Sequence, residues 1–512
     1  MDVRALMAQA VRCNGDRLAI IHGERRLTYD QAWARGIQLA NGLRALGLRS
    51  GDRVAVLEDN CIEAGDFIQA CAIANLVRVP LYARNAVEAH RHMLANTQCR
   101  AVVASEPYRA AVEQAGEDLA DLDHVIVRGA GYEDWLASQS TALPEVTIRP
   151  DDITIIRHTG GTTGRPKAVA YSHRSWLAAC RDWFYIFPQV LQGDRCLHVG
   201  PISHASGYQY LPVWLAGGCN ILVDHFDAAQ TVDLIEREHV AYCQVVGTML
   251  RSILDLPGIR TRDFSSLKCL LVGAAPVREA TALEAHDLLG DVLYQGYGQT
   301  EALPVAFMGP QQWFAEIAGS QPLLACGMVM PFSLVEIWDE HNRPLPLGSV
   351  GEIVAKADGQ MTGFWDNAKA SRERIVDGWI KTGDVGRLDR NGYLYLLDRA
   401  DDMIISGGYN IWPLELERVI EAHPAVTEAA VFGVPHPKWG ETPLVVCVVR
   451  PGAHITEQEL IARVADELGS YRKPGRVVFQ NEPLLRSAVG KLDRRSMREP
   501  YWAGVERRVA GS

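Results

Sequence analysis

The chain of 512 residues is too long for one compact core, so at least two domains are expected. Hydrophobic residues make up 48% and charged residues 22%, as in an ordinary soluble globular protein. No run of about 18 apolar residues marks a transmembrane helix. A net charge of -11 argues against nucleic acid as a partner, since a phosphate polymer needs an extended basic face.

The first residues are followed by Arg12, Asn14 and Asp16, which rules out the apolar stretch of a secretory signal. The 11 cysteines are scattered, without CxxC pairs, and read as reduced core residues of a cytoplasmic protein.

In chain order, Thr28 and Gln31 form a capping box for a helix with apolar positions at Trp33, Ile37, Ala40 and Leu43, stopped near Gly47. Strand patterns follow at Val54 to Leu57, Ile153 to Ile156 and Leu270 to Val272, the last two running into glycine-rich sequence. From about Gly351 the texture becomes strand-rich, with Glu352 to Val354 and Tyr393 to Leu396. A helix begins at Pro413 and carries Leu416, Val419 and Ile420 on one face. Strands at Ala429 to Phe432 and Leu444 to Val449 complete the pattern.

The fold class expected is α/β. A large N-terminal domain, residues 1–399, has layered α/β subdomains and a β-rich segment. A small mobile α+β domain, residues 400–512, follows.

The strongest motif is His158-Thr159-Gly160-Gly161-Thr162-Thr163-Gly164-Arg165-Pro166-Lys167. Its glycines let backbone N–H groups converge on an anion, its threonines add hydroxyl donors, and Lys167 adds a mobile cation. That set suits a triphosphate, although no Walker A pattern can be aligned. Gly296 to Glu301 imitates a dinucleotide GxGxxG, but its sixth residue is Glu301, which rejects that reading.

Further strings follow: Tyr297-Gly298-Gln299-Thr300-Glu301, Lys381-Thr382-Gly383-Asp384, Asp398-Arg399, Ile404 to Asn410, and Gly490-Lys491. With the glycine loop, their order resembles the adenylate-forming superfamily of acyl-CoA synthetases, peptide-synthetase adenylation domains and beetle luciferases. The resemblance covers nearly the whole chain. It implies an enzyme that activates a carboxylic acid with ATP as an acyl-adenylate, then passes the acyl group to coenzyme A.

The resemblance also assigns roles. Glu301 is the Mg²⁺ ligand, since Mg²⁺ takes one or two carboxylates plus phosphate oxygens. Thr159 to Gly164 and Lys167 hold the phosphates. Tyr297 stacks on adenine, with the Gly273-Ala274-Ala275 backbone beside it and Gly298 and Thr300 nearby. Asp384 binds the ribose, Arg399 the ribose and α-phosphate, and Lys491 bridges the acid and the α-phosphate. His204 gates the thiol channel, Asp401 is the hinge, and Gly407 and Gly408 make room for pantetheine. Lys473 and Arg476 meet the CoA phosphates. Gly207, Gly247, Ala274, Ala275 and Ala302 line the acyl pocket, which implies a roomy apolar cavity for a bulky polycyclic, aromatic or fatty acid.

Each role has a plainer counterpart: an ordinary turn glutamate for Glu301, a structural ion pair for Asp384 and Arg399, a structural histidine for His204. The basic segment from Arg472 to Arg498 reads mostly as a solvated face.

Three positions depart from the family pattern. Ala168 replaces a glycine after the loop lysine, Leu485 a proline ahead of Lys491, and Gly247 a proline near the acyl site. If position 168 has positive φ, alanine costs roughly 1–2 kcal/mol and crowds the phosphates, and Ala168→Gly raises adenylation. That leaves open a variant that only transfers a preformed acyl-adenylate to CoA. An enzyme loading a carrier protein in trans also stays open, as does a nucleotide-binding regulatory protein that kept the fold. A homodimer is compatible with the sequence.

Overall fold

The computed structural model describes residues 1–159, 166–273, 277–399, 402–486 and 491–503. By backbone contacts the chain divides into two units. One comprises residues 1–335 and 355–380, the other residues 336–354 and 381–512. Residues 381–399, expected with the N-terminal domain, thus group with the C-terminal unit.

The first unit contains two sheets. In one, six neighbouring strands run parallel in the order Leu293–Gln299, Cys269–Gly273, Val240–Val245, Arg195–His198, Cys219–Leu222 and Leu18–His22. Antiparallel strands Ala302–Met308 and Arg25–Thr28 flank this block. The other sheet runs Gly363–Phe364, Ala168–Ser172, Ile153–His158, Val77–Pro80, Arg53–Leu57, Ala101–Ser105, His124–Arg128. Near-continuous apolar runs suit such strands, because parallel sheets are covered on both faces.

The expected helix is Tyr29–Ala45, capped reciprocally by Thr28 and Gln31, and Gly47 follows it at φ +94°. Tyr29 at its start is fully buried and donates its hydroxyl to the carbonyls of Trp214 and Gly218, 2.9 and 2.7 Å away. Helix Ile62–Ala74 is apolar on nearly every side and correspondingly buried.

In the second unit, the end of strand Trp379–Leu388 pairs with Tyr393–Arg399. A separate sheet orders Tyr409–Ile411, Ile404–Ser406, Gly440–Val449 and Val426–His436, with Arg476–Gln480 joining Gly440–Val449 in parallel. Pro413 opens helix Pro413–Glu421 at its first turn, where its missing N–H is harmless. Leu416 and Ile420 of this helix, and Leu460 and Val464 of Glu457–Leu468, are fully buried against Ile404, Val431 and Val445. Each such side chain contributes about 1.5–3 kcal/mol by leaving water.

Eight of the 11 cysteines are buried, and none forms a disulfide. No helix among the described residues is long and apolar enough to cross a membrane.

Candidate active site

The glycine-rich loop is the tip of an antiparallel hairpin. Strands Ile153–His158 and Ala168–Ser172 pair up to His158 opposite Ala168. Beyond that pair the Thr159 N–H donates to the Lys167 carbonyl at 3.0 Å, and the Lys167 N–H donates to the Thr159 hydroxyl at 3.2 Å. Thr159 and Lys167 therefore clasp the base of the loop. Gly160, Gly161, Thr162, Thr163 and Gly164 lie outside the described residues, as do Ala274, Ala275 and Asp401. Lys167 is exposed, with its ammonium 5.3 Å from the Phe364 ring centre.

Ala168 answers the first departure from the family pattern. It is a strand residue, absent from the non-glycine residues with positive φ, and 2% exposed. Position 168 therefore lacks the positive φ on which the strain depended. The methyl group is buried in the strand.

Tyr297 to Gln299 end strand Leu293–Gln299, and Thr300 with Glu301 makes the turn into Ala302–Met308. The turn is not an exposed one, since Glu301 is only 7% exposed. Arg374 donates to the Gln299 side chain and to Glu301 Oε1, both at 3.1 Å, while Glu301 Oε2 has no partner among the described residues. A carboxylate with one oxygen anchored and one open fits Mg²⁺, which fills its remaining positions with phosphate and water. No group of three or more potential metal ligands occurs among the described residues.

Hydrogen bonds draw the hairpin and this turn together. Tyr171 donates its hydroxyl to the Thr300 carbonyl at 2.7 Å. The Met361 N–H donates to the Glu301 carbonyl at 2.9 Å, and the Thr362 N–H to the Ala170 carbonyl at 2.8 Å. The loop base and Glu301 thereby become neighbours, although about 130 residues of chain lie between them.

The other candidate residues sit where neighbouring parallel strands end, the usual location of a ligand crevice in α/β sheets. Gly273 ends Cys269–Gly273 beside Gly296 of the next strand. Gly247 begins helix Gly247–Leu254 just after Val240–Val245. Ala302 is buried opposite Gln299. Gly298 packs so tightly on Leu303 that a Cβ would overlap it.

His204 and Gly207 follow Arg195–His198, and Asn60 fixes their approach. Its amide donates to the His198 and Gly200 carbonyls, and its oxygen accepts the Ile202 N–H at 2.8 Å. His204 is half-buried, edge-on to Tyr82 with ring centres 5.3 Å apart. Gly207 is small for a backbone reason, because a Cβ there would overlap the Ile202 carbonyl.

In the second unit Asp384 and Arg399 are cross-strand partners, 3.7 Å apart, and Asp384 is 5% exposed. Gly407 and Gly408 form the two-residue turn between Ile404–Ser406 and Tyr409–Ile411, at φ +58° and +84°. A tight hairpin of this kind requires positive φ at both positions.

Lys473 and Arg476 are exposed, without ion-pair partners among the described residues, and line an open groove of about 590 Å³ with Trp439 and His436. The Gly407 N–H donates to the Trp439 carbonyl at 3.0 Å, so the glycine turn adjoins the same groove. Lys491 is half-buried at the edge of a described segment.

Several basic residues nearby are structural. Arg494 meets Glu417 at 2.5 Å, Asp402 at 3.5 Å and Asp398 at 3.9 Å, Arg472 meets Glu415, and Arg486 meets Glu428. Arg494 is thus a mostly buried clamp rather than a solvated charge. Burial raises the Asp398 carboxyl to about 7, against the pull of Arg494, and the acid also accepts the Leu414 N–H.

Sequence reasoning missed Arg374 and Tyr171, which meet the Gln299–Glu301 turn in the first unit, and Trp439, which meets Gly407 in the second; none lies in a recognisable string.

Known proteins share this architecture. Residues 7–365 match the AMP-binding enzyme family, and residues 415–491 match the AMP-binding enzyme C-terminal domain. The chain belongs to this family of AMP-forming, ATP-dependent acid–thiol ligases, within the adenylate-forming superfamily. It is similar to a feruloyl-CoA synthase from Amycolatopsis sp, 34% identical over 485 residues, covering 94% of this chain and 96% of the relative. A medium/long-chain-fatty-acid–CoA ligase, FadD8 of Mycobacterium tuberculosis, is 30% identical over 526 residues, covering 98% and 91%. ATP-bound MatB from Rhodopseudomonas palustris superposes with a TM-score of 0.89 at 27% identity, covering 98% and 99%.

Proposed function

We propose that the enzyme converts a bulky, largely apolar carboxylic acid to its CoA thioester in the cytoplasm, in two half-reactions with Mg²⁺-bound ATP. The observation that carries this reading is the junction of the clasped loop with the Thr300–Glu301 turn through Tyr171, Met361 and Thr362.

A carboxylate does not acylate a thiol, because oxide is too poor a leaving group. In the first step the carboxylate oxygen attacks the α-phosphorus and pyrophosphate departs. The loop N–H groups, its threonines and Lys167 hold the β- and γ-phosphates. Glu301 would hold Mg²⁺, which would neutralise phosphate charge when bound, and Arg374 fixes the Glu301 carboxylate. Tyr297 and the Gly273 backbone take the adenine, while Asp384 and Arg399 take the ribose. Lys491 offsets the repulsion between two approaching anions and the charge growing on phosphorus oxygens.

In the second step the CoA sulfur attacks the acyl carbonyl and AMP leaves. The C-terminal domain turns about Asp401, withdrawing Lys491 and presenting the Gly407-Gly408 turn. His204 opens the thiol path, and Lys473 and Arg476 receive the CoA phosphates at the Trp439 groove. The decisive experiment incubates the enzyme with ATP, Mg²⁺, CoA and a panel of hydrophobic acids, measuring pyrophosphate, AMP and acyl-CoA separately. Matching yields of all three are expected. Pyrophosphate without thioester would overturn the CoA assignment, and thioester only from synthetic acyl-adenylates would overturn the first half-reaction.

A further inference from the structure

Away from the nucleotide residues, buried polar groups without partners gather around a small space inside the first unit. A cavity of about 30 Å³ lies between helix Ile62–Ala74, strand Val77–Pro80 and helix Gly207–Leu215, and Arg78, Tyr210, Trp176 and Gly207 help line it. Arg78 is 8% exposed and makes no hydrogen bond or ion pair among the described residues. Glu58 acts on it only from a distance, and the Glu58 carboxylate is engaged by Arg128.

Arg78 also has a like charge as neighbour. Burial, and after it Arg157, push its guanidinium pKa down to about 10. Arg157 is 2% exposed and donates to the Ser203 and His204 carbonyls at 3.2 and 2.5 Å, yet its Nε has no partner. The buried Tyr208 hydroxyl has none either, and the Tyr210 hydroxyl faces the Gln69 amide, which is itself without a well-aligned partner. Buried donors are almost always satisfied, and an isolated buried cation is costlier still.

The missing species is therefore an acceptor with negative charge. A water needs about 10–15 Å³ of such space, so the cavity admits a carboxylate-sized group. We propose that Arg78 and Tyr210, beside Arg157, form a buried subsite for a small oxyanion of carboxylate type.

Two sources present that chemistry. One is the far carboxylate of the acid being activated, reaching past Gly207 from the His204 segment; this source rests on the ligase reading. The other is a free small anion that completes the packing.

The test compares wild type with Arg78→Met and Arg78→Lys. Acyl-CoA formation is measured for α,ω-dicarboxylic acids of increasing length and for their monomethyl esters. Thermal unfolding is measured in potassium formate and in potassium gluconate of equal ionic strength. A preference of about tenfold or more in kcat/KM for one diacid over its half-ester, lost in Arg78→Met and partly kept in Arg78→Lys, assigns the subsite to the substrate. No such preference, but a formate-dependent rise in melting temperature that Arg78→Met abolishes, assigns it to a free anion. The absence of both effects overturns the proposal. If no acid gives pyrophosphate or thioester while the formate effect persists, the ligase reading fails and the subsite stands. Tyr210→Phe, which removes one hydroxyl, supplies the same comparison if Arg78→Met does not fold.

Discussion

Restoring glycine at position 168 should weaken the protein and leave adenylation unchanged. Ala168 is a buried strand residue opposite His158, and its carbonyl accepts the Trp365 N–H at 2.7 Å. Deleting the methyl group forfeits about 0.8 kcal/mol of burial. Glycine in an ordered strand adds about 0.5–1 kcal/mol of conformational entropy lost on folding. Together Ala168→Gly should cost about 1.5 kcal/mol, roughly a tenfold shift in the local folding equilibrium. Urea unfolding followed by tryptophan fluorescence reads this as an earlier first transition, the relevant one in a chain of two units. Pyrophosphate release with a saturating acid should match wild type. Faster release with an unchanged urea midpoint would refute the reasoning and mean that the methyl group crowds the phosphates.

Lys491→Ala should slow pyrophosphate release by on the order of a hundredfold or more, with CoA transfer from a synthetic acyl-adenylate retained; equal loss of both half-reactions would contradict its role. Arg374→Ala releases Glu301 Oε1 and should raise the Mg²⁺ concentration for half-maximal adenylation severalfold, again sparing thioester formation. Stability should fall as the solution is acidified. His198, buried between Ser206 and Asn220, is held at about 4, and buried His158 at about 3, against 6.5 when unfolded. Below pH 6.5 the unfolded chain binds more protons, so stability present above that value is lost toward pH 4, by up to about 1.4 kcal/mol per pH unit for each histidine. A smaller slope of the urea midpoint between pH 6.5 and 5 is expected for His198→Gln, and an unchanged slope would show that the imidazole is protonated in the fold. Gly408→Ala, at φ +84°, should cost about 1–2 kcal/mol, read as an earlier urea transition, and a neutral result would exclude a strict two-residue turn.

Much of this protein was legible in local sequence because the responsible forces are local. The Thr28–Gln31 capping box, Pro413 at a helix start and the apolar runs of the parallel strands each fix an element through a few neighbouring residues. The glycine loop and the Glu301 string likewise announce phosphate chemistry by residue type and order. What sequence could not supply were facts decided by distant partners. The backbone angle at Ala168 follows from its pairing with His158, and the anchoring of Glu301 from Arg374, 73 residues away. Gly207 is small because the Ile202 carbonyl lies against it, and Gly407 and Gly408 because their turn needs positive φ. Arg494 looked like one more surface charge, whereas three carboxylates converge on it. Nothing local singles out Arg78 and Arg157, and only the packing of helices over their strands buries them without supplying an acid. Sequence order fixes which groups exist and which local elements form; their desolvation and their partners arise only when segments far apart in the chain pack together.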